Sequence, residues 1–219
     1  MDSLFFGLFA IAYVLLIIWG LRSNKKWTLS SLIYLVIAAL IYDNAVYALG
    51  IFIGTGTFLE TLNLLRYWLH ALFTPTLILF SICAMCGVNI KWAKQSWVLL
   101  LGVLLTMIAM IVEYTTEVHG LSLKPLKEYG ALSYKPVEAA AGPPIMILIV
   151  LVALLIGGVM LWWKAIWPWM LVGTAVMAFG SAVPFNIGSN AITNAFELIF
   201  LFTLVWTKKK LDLKELTAN

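Results

Sequence analysis

Charged residues are scarce in this sequence. They account for 11% of its 219 residues, whereas 63% are hydrophobic; a soluble domain averages about 25% charged residues. This composition excludes a water-soluble globule, a disordered tail and a collagen. There are only two cysteines, Cys83 and Cys86, and both fall in one apolar segment, so a disulfide scaffold is excluded as well. The composition favours a protein that crosses a membrane several times.

Histidines are equally few, and motifs for cofactor binding are missing. The two histidines are His70 and His119, which is too few for a zinc site with three histidine ligands. Because His119 falls in a loop, a haem with both histidines as ligands is not expected either. The last apolar run, 191–207, has no lysine that could carry a retinal Schiff base. Cys83 and Cys86 form a C-x-x-C pair near a helix C-terminus, whereas redox pairs usually lie at helix N-termini. We therefore predict no cofactor and no metal.

Seven apolar runs approach or exceed the length of about 20 residues that crosses a bilayer. We predict an all-α, polytopic membrane helix bundle of seven transmembrane helices, with residues 1–219 forming a single transmembrane domain. A capping box at Thr57 and Glu60 is expected to begin the third helix, and Pro75 and Pro184 are expected to kink the third and sixth. The predicted spans are about 3–21, 28–53, 58–86, 97–115, 144–163, 166–185 and 191–207, with an outer loop at 116–142.

Basic residues predict the orientation of the bundle. With the N-terminus outside and the C-terminus cytoplasmic, most of the 14 basic residues fall in short inner segments, which is the positive-inside pattern. The expected location is the cytoplasmic (plasma) membrane. The net charge of +4 arises from these segments, so nucleic-acid binding is not predicted. The Lys208–Lys210 run is interpreted as an anchor that fixes the topology and attracts anionic lipid.

The long connection at 116–142 is expected on the outer side. Two Lys-Pro pairs, at 124–125 and 135–136, flank Gly130, a pattern that predicts a small β-hairpin. A connection of this length is often a lid or a binding loop, and a simple crossover over the outer surface is an equal alternative.

Ionisable residues inside apolar spans are costly and are usually functional or paired. Those of this chain are Asp43, Arg66, His70, Glu113 and Glu197. They are accompanied by one tyrosine and five amides, namely Tyr47, Asn44, Asn63, Asn186, Asn190 and Asn194. Helical spacing places most of these groups in one polar stripe on each helix, all in the outer half of the predicted membrane. We therefore expect a polar cavity open to the outside, above an almost purely apolar inner half.

These groups predict an integral membrane enzyme that acts on a lipid or isoprenoid-like substrate. Asp43, His70 and Glu197 would be the catalytic acids and bases of a hydrolysis or a proton-initiated cyclisation. Arg66 would hold an anionic headgroup, and the other substrate-binding candidates are Asn44, Tyr47, Asn63, Glu113, Asn190 and Asn194. The expected partners are membrane lipids and an amphipathic, lipid-like small molecule.

Two other functions stay open. The same groups could form the relay of a proton-coupled transporter, although no polar path continues through the inner half and no inverted repeat is seen. Alternatively, the protein binds a lipid or small ligand without catalysis. In that case Asp43 and Arg66 form a structural ion pair, and His70 and the asparagines join helices by hydrogen bonds. The sequence does not predict the oligomeric state.

Overall fold

The computed structural model describes residues 1–22, 27–138, 144–183, 189 and 191–218, and their regular structure is helical apart from one β-hairpin. The predicted helical class is confirmed. Because α3 and α4 are joined by a 3₁₀ turn, the described residues form seven helical segments. The elements are α1 (Asp2–Leu21), a 3₁₀ turn (Leu29–Leu32), α2 (Ile33–Ile53), α3 (Thr57–Phe73), a 3₁₀ turn (Thr74–Thr76), α4 (Leu77–Gly87), α5 (Ser96–Glu113), a π-helical turn (Tyr114–Val118), β1 (Leu123–Glu128), β2 (Ala131–Pro136), α6 (Ile145–Ala165), α7 (Trp169–Ala182) and α8 (Ile192–Ala218).

Several helices have the length and composition of membrane spans. Helix α7 is apolar but has only 14 residues. On α5, Leu100, Met107 and Ile111 are each more than half exposed, and contact with lipid explains an apolar face that water would disfavour. Five segments are long and apolar enough to cross a membrane, namely Asp2–Leu21, Leu29–Ile53, Thr57–Gly87, Ser96–Val118 and Ile145–Ala165. The structure is therefore consistent with a membrane protein.

The third helical segment is interrupted at Pro75. Proline has no backbone N–H and clashes with the preceding turn, and the chain forms the 3₁₀ turn Thr74–Thr76 there. The interruption expected at Pro75 is confirmed; the kink expected at Pro184 lies outside the described residues. On one side of the turn, α3 carries polar residues, and on the other side most of α4 is apolar and buried.

The start of α3 differs from the sequence prediction. Its N-cap is Gly56, whose carbonyl oxygen accepts a hydrogen bond from the Glu60 amide at 3.1 Å, and no side chain caps this end. Thr57 is therefore the first helical residue, and the predicted capping box of Thr57 and Glu60 is wrong. Glycine is among the residues accepted at an N-cap, so the helix begins one residue earlier than expected.

The helices pack around α4. Helix α1 lies against α2, α7 contacts both α6 and α8, and α4 contacts α5, α6 and α8. The buried core includes Ile37 on α2, Phe80 on α4 and Leu154 on α6. The Ser81 hydroxyl of α4 donates to the Ala153 carbonyl oxygen of α6 at 2.6 Å, a hydrogen bond of the kind that joins membrane helices.

The predicted hairpin is confirmed. Strands β1 and β2 pair antiparallel along their full length. Tyr129 and Gly130 connect them with φ angles of 48° and 83°, and positive φ at both central residues is what a type I′ turn requires.

The hairpin is held against the helices. The Tyr134 backbone amide donates to Asn63 Oδ1 at 3.1 Å, and the Tyr134 hydroxyl accepts from the Gly56 amide at 3.0 Å. The Leu132 and Tyr134 side chains are buried in one cluster with Leu59 of α3. These contacts favour a fixed crossover over a lid.

The two ends of the bundle differ in composition. We call the end that carries β1 and β2 the hairpin end; the Met1 ammonium donates to the Tyr129 carbonyl oxygen there, at 2.9 Å. We call the other end, where Lys94 and Lys208–Lys210 lie, the lysine end. Helix α8 reaches this end and continues to Ala218, well beyond the boundary predicted at residue 207.

Candidate functional site

Arg66 is enclosed by neighbours that satisfy its charge. Its Nε donates to Asp43 Oδ1 at 2.6 Å, and its Nη1 donates to Asn63 Oδ1 at 2.7 Å. The guanidinium carbon lies 3.9 Å from the centre of the Tyr47 ring, which is a cation–π contact. These bonds use two of the five guanidinium donors, and the Arg66 side chain is only 9% exposed, so access of an anionic ligand to the guanidinium is limited. The ion pair of Asp43 and Arg66 joins α2 to α3.

His70 lies one turn further along α3 and has a neighbour at each ring nitrogen. Its Nε2 is 3.6 Å from Glu113 Oε1 on α5, and its Nδ1 is 3.2 Å from Thr74 Oγ1. The side chain of His70 is 41% exposed, whereas that of Glu113 is 9% exposed. A carboxylate and a hydroxyl thus orient the imidazole while part of the ring stays accessible. Such a pair can accept a proton and return it.

A small, mostly apolar cavity of about 90 Å³ adjoins these side chains. We call it the apolar cavity. Asp43, Arg66, His70 and Glu197 lie on its wall, and aliphatic side chains of α2, α4, α6 and α8 form most of the rest. All three predicted catalytic residues therefore face one space, together with the predicted cation.

A second cavity, of about 310 Å³, lies beside the first, and we call it the outer cavity. It is lined by Tyr67, Glu113 and Glu117 together with the Asp43, Arg66 and His70 side chains. Those last three line both cavities. They consequently stand at the boundary between an apolar space and a polar one.

Glu197 reaches the apolar cavity from α8. Its carboxyl group interacts with the Tyr13 hydroxyl of α1, and this hydroxyl also approaches the Asn194 carbonyl oxygen at 3.5 Å. Among the described side chains, no cation forms an ion pair with Glu197. Glu197 and Asp43 are thus two carboxyl groups in different surroundings, since Asp43 is paired with Arg66.

The predicted asparagines do not line either cavity where they are described. Asn44 is buried, with Nδ2 donating to the Leu40 carbonyl oxygen at 2.9 Å and Oδ1 without a partner among the described residues. Asn63 is buried and holds the arginine and the hairpin, so its contacts are structural. Asn194 contributes its backbone carbonyl, and Asn186 and Asn190 lie outside the described residues.

The sequence analysis missed three side chains at the site. Thr74 continues the stripe of α3 one turn beyond His70, so helical spacing could have revealed it. Tyr67 lines the outer cavity and lies on the same stripe, four residues after Asn63, so helical spacing could have revealed it too. Tyr13 is a polar group in the middle of a uniformly apolar helix, and only packing brings it beside Glu197.

The lysine end contains a buried ion pair that the sequence did not predict. Lys208 turns into the bundle and is 2% exposed, and its Nζ lies 2.9 and 3.2 Å from the two carboxylate oxygens of Asp212. Lys209 donates to a carbonyl oxygen of α1, and Lys210 lies 3.8 Å from the Trp167 ring centre. The three lysines thus have three different surroundings, and their role as an anchor that fixes the topology stays a prediction.

No protein-family model matches the chain, and no curated protein or solved structure matches it. Among the described residues, no group of three or more His, Cys, Asp or Glu side chains is placed to hold a metal ion. The fold and the site therefore define the class by themselves: a membrane-compatible helical bundle with ionisable side chains gathered between its helices.

Proposed function

We propose that this protein is an integral membrane enzyme that uses an acid–base site on a lipid or isoprenoid-like substrate. The observation that carries the proposal is the position of Asp43, Arg66 and His70 between the apolar and outer cavities. An amphipathic molecule suits this boundary, because the apolar part next to its reacting bond would enter one cavity and its polar part the other.

His70 would accept and return the proton, with Glu113 and Thr74 fixing the orientation of its ring. Glu197 would supply a second acid from α8, and Asp43 would provide a fixed negative charge. Arg66 takes a different role from the anionic-headgroup site expected from the sequence: it holds Asp43 in place and is a positioning residue. Hydrolysis and proton-initiated cyclisation both use such a combination of acid and base.

A turnover assay tests this proposal. The full-length protein is reconstituted into vesicles made from the total lipid extract of the expressing cells, and products are followed by mass spectrometry. We expect His70→Ala and Glu197→Gln to abolish turnover without loss of folding, and Asp43→Asn to abolish turnover and also lower stability, because it leaves Arg66 without its carboxylate. Glu60→Gln is the matched control, because Glu60 is an acid on α3 that lines neither cavity. Full turnover in the Asp43 and His70 variants would refute the assignment.

We further propose seven spans, with the N-terminus outside, the C-terminus in the cytoplasm and the protein in the plasma membrane. Lysines at one end of the bundle support this orientation. In a chain without Cys83 and Cys86, Tyr129→Cys should react with a membrane-impermeant maleimide in intact cells. Lys91→Cys should react only after the cells are opened. If Lys91→Cys reacted in intact cells and Tyr129→Cys reacted only in opened cells, the orientation would be the opposite one.

A proton-coupled transporter is the second candidate. It is favoured by the buried pair of Lys208 and Asp212, which adds ionisable groups inside the bundle at the end opposite the hairpin. Proton flux into reconstituted vesicles that is lost in Glu197→Gln and kept in Glu60→Gln would support this function. A lipid that co-purifies with the protein, without turnover or flux, would support a binding protein instead.

A further inference from the structure

A third cavity, of about 340 Å³, opens at the lysine end and is separate from the apolar and outer cavities. Four separate segments line it: the turn before α2, helix α4, the loop before α5 and helix α8. We call it the lysine-end cavity, and its polar lining residues are Thr28, Ser30, Cys83, Cys86, Lys94, Lys208 and Asp212. We propose that this cavity binds a phosphate group, either free phosphate or the headgroup of an anionic lipid.

The buried ammonium of Lys208 is the first support. Its side chain is 2% exposed, and Asp212, one turn further along α8, accepts hydrogen bonds from it. An ammonium has three donors, and Asp212 is the hydrogen-bond partner found for it among the described residues. Donor capacity is therefore left on a cation that lines the cavity, in surroundings where a charge is poorly screened by water.

Lys94 supplies a second positive charge. It lies at the exposed mouth of the cavity, and its Nζ donates to the neutral Asn89 Oδ1 at 2.5 Å. Among the described side chains, no carboxylate forms an ion pair with Lys94. The described charges of the lining are two ammonium groups and the one carboxylate of Asp212, so one positive charge is uncompensated.

The remaining groups favour a phosphate over other ligands. The Thr28 and Ser30 hydroxyls, which lie 2.9 Å apart, add hydrogen-bond donors beside the two lysines. A phosphate has several oxygens that can engage separate donors at once, and lysine is a common phosphate ligand. A cation is disfavoured by the excess positive charge, and a purely apolar ligand would offer no acceptor to the donor capacity that Lys208 and Lys94 retain.

The cysteines provide a reporter for occupancy. Cys83 and Cys86 are the only cysteines in the sequence, both are free, and both line this cavity. With Cys86→Ser as background, the rate of N-ethylmaleimide addition to Cys83 is measured by intact-protein mass spectrometry on the full chain in detergent. The probes are inorganic phosphate, dioctanoyl phosphatidic acid and, as a control without phosphate, dioctanoylglycerol.

We expect a phosphate-bearing probe to slow the labelling about fivefold when it is present at about four times its Kd. Lys94→Gln should raise the probe concentration for half protection about tenfold, because a charged hydrogen-bond donor is lost. Lys94 is exposed, so this variant should fold. Lys91→Gln, on the same loop but outside the cavity lining, should leave the protection unchanged.

Each outcome decides something about the proposal. Protection by inorganic phosphate identifies a soluble phosphate, and protection by phosphatidic acid alone identifies a lipid headgroup. Equal protection by dioctanoylglycerol, no protection by either phosphate probe, or an unchanged response in Lys94→Gln would overturn the proposal. If Cys83 does not react in the free protein, phosphatidic acid bound to the same variants is counted by native mass spectrometry. Equal binding by Lys94→Gln and Lys91→Gln would then overturn it.

Discussion

Each end of the bundle contains a buried cation paired with an aspartate, but the two pairs are built differently. At the hairpin side of Pro75, Arg66 of α3 binds Asp43 of α2 and is also held by Asn63 and the Tyr47 ring. At the lysine end, Lys208 pairs with Asp212 one turn away in the same helix. The first pair connects two helices and the second does not.

This difference indicates which groups are free to act at each end. The arginine is enclosed, so the reactive groups near it are the accessible imidazole and the carboxyl groups on the cavity walls. Both cations line a cavity, but at the lysine end a second cation, Lys94, joins Lys208 in the lining and has no carboxylate partner among the described side chains. A chemical role is therefore expected from acids and a base at one end and from cations at the other.

The largest effect should come from breaking the pair between helices. Arg66→Gln leaves Asp43 without its cation and removes a connection between α2 and α3, so the free energy of unfolding should fall by about 3–5 kcal/mol. Lys208→Met should cost less, about 1–2 kcal/mol, because Lys208 and Asp212 belong to one helix and their separation breaks no connection between helices. Thermal or denaturant unfolding in one detergent compares the two variants, and equal losses would show that the two pairs do the same structural work.

A smaller loss is expected where the hairpin lies against α2. A methyl group at Gly50 would lie 1.9 Å from the Leu132 carbonyl oxygen, so Gly50→Ala must displace the hairpin backbone at a cost of about 1–3 kcal/mol. Gly7→Ala is the matched helix-glycine control, since its methyl group would meet only Ala48 Cβ at 3.8 Å. Unfolding of the two variants measures the difference; a Gly50→Ala protein as stable as Gly7→Ala would mean that the hairpin is loosely attached.

Removing one hydrogen bond should loosen the same attachment less. Tyr134→Phe deletes the hydroxyl that accepts from the Gly56 amide, and we expect a loss of about 1 kcal/mol. Hydrogen exchange of the Gly56 amide is the direct readout and should accelerate. Unchanged exchange at Gly56 together with unchanged stability would contradict a fixed hairpin.

The smallest effect is expected at the surface of the lysine end. Lys210→Gln removes the contact with the Trp167 ring, and a cation–π contact at an exposed site contributes about 0.5–1 kcal/mol. Unfolding should therefore change far less than in Lys208→Met. A loss equal to that of Lys208→Met would show that the inward direction of Lys208 has no special importance.

Local patterns predicted the helical segments well, because their causes are local. Long apolar runs form helices in which every backbone hydrogen bond is internal, Pro75 interrupts one of them, and the residues around Gly130 form a tight turn. The start of α3 was placed one residue late, since a glycine and a threonine are both acceptable at an N-cap. The end of α8 was missed because charged residues end an apolar run without ending a helix.

The sequence predicted which residues form the site better than it predicted what each residue does there. Scarcity of charge selected Asp43, Arg66, His70 and Glu197, and these four side chains line one cavity. Their partners depend on packing: the sequence did not show that Glu113 approaches the imidazole, or that Asn63 and the Tyr47 ring also hold Arg66. Residues 113 and 70 are on different helices, and no spacing rule relates positions on separate helices.

The sequence by itself determined the apolar composition of this protein, which suits a lipid environment, and its helical class. It also determined the small set of ionisable side chains within apolar helices. These properties depend on composition and helical period, which act along the chain. The tertiary structure decided which of those charges are neutralised and which face a cavity. It also decided that Lys208 enters the bundle, whereas Lys209 bonds to a carbonyl oxygen of α1 and Lys210 lies over the Trp167 ring. Adjacent residues of a helix point about 100° apart, so the surroundings of each one depend on the helices packed against it.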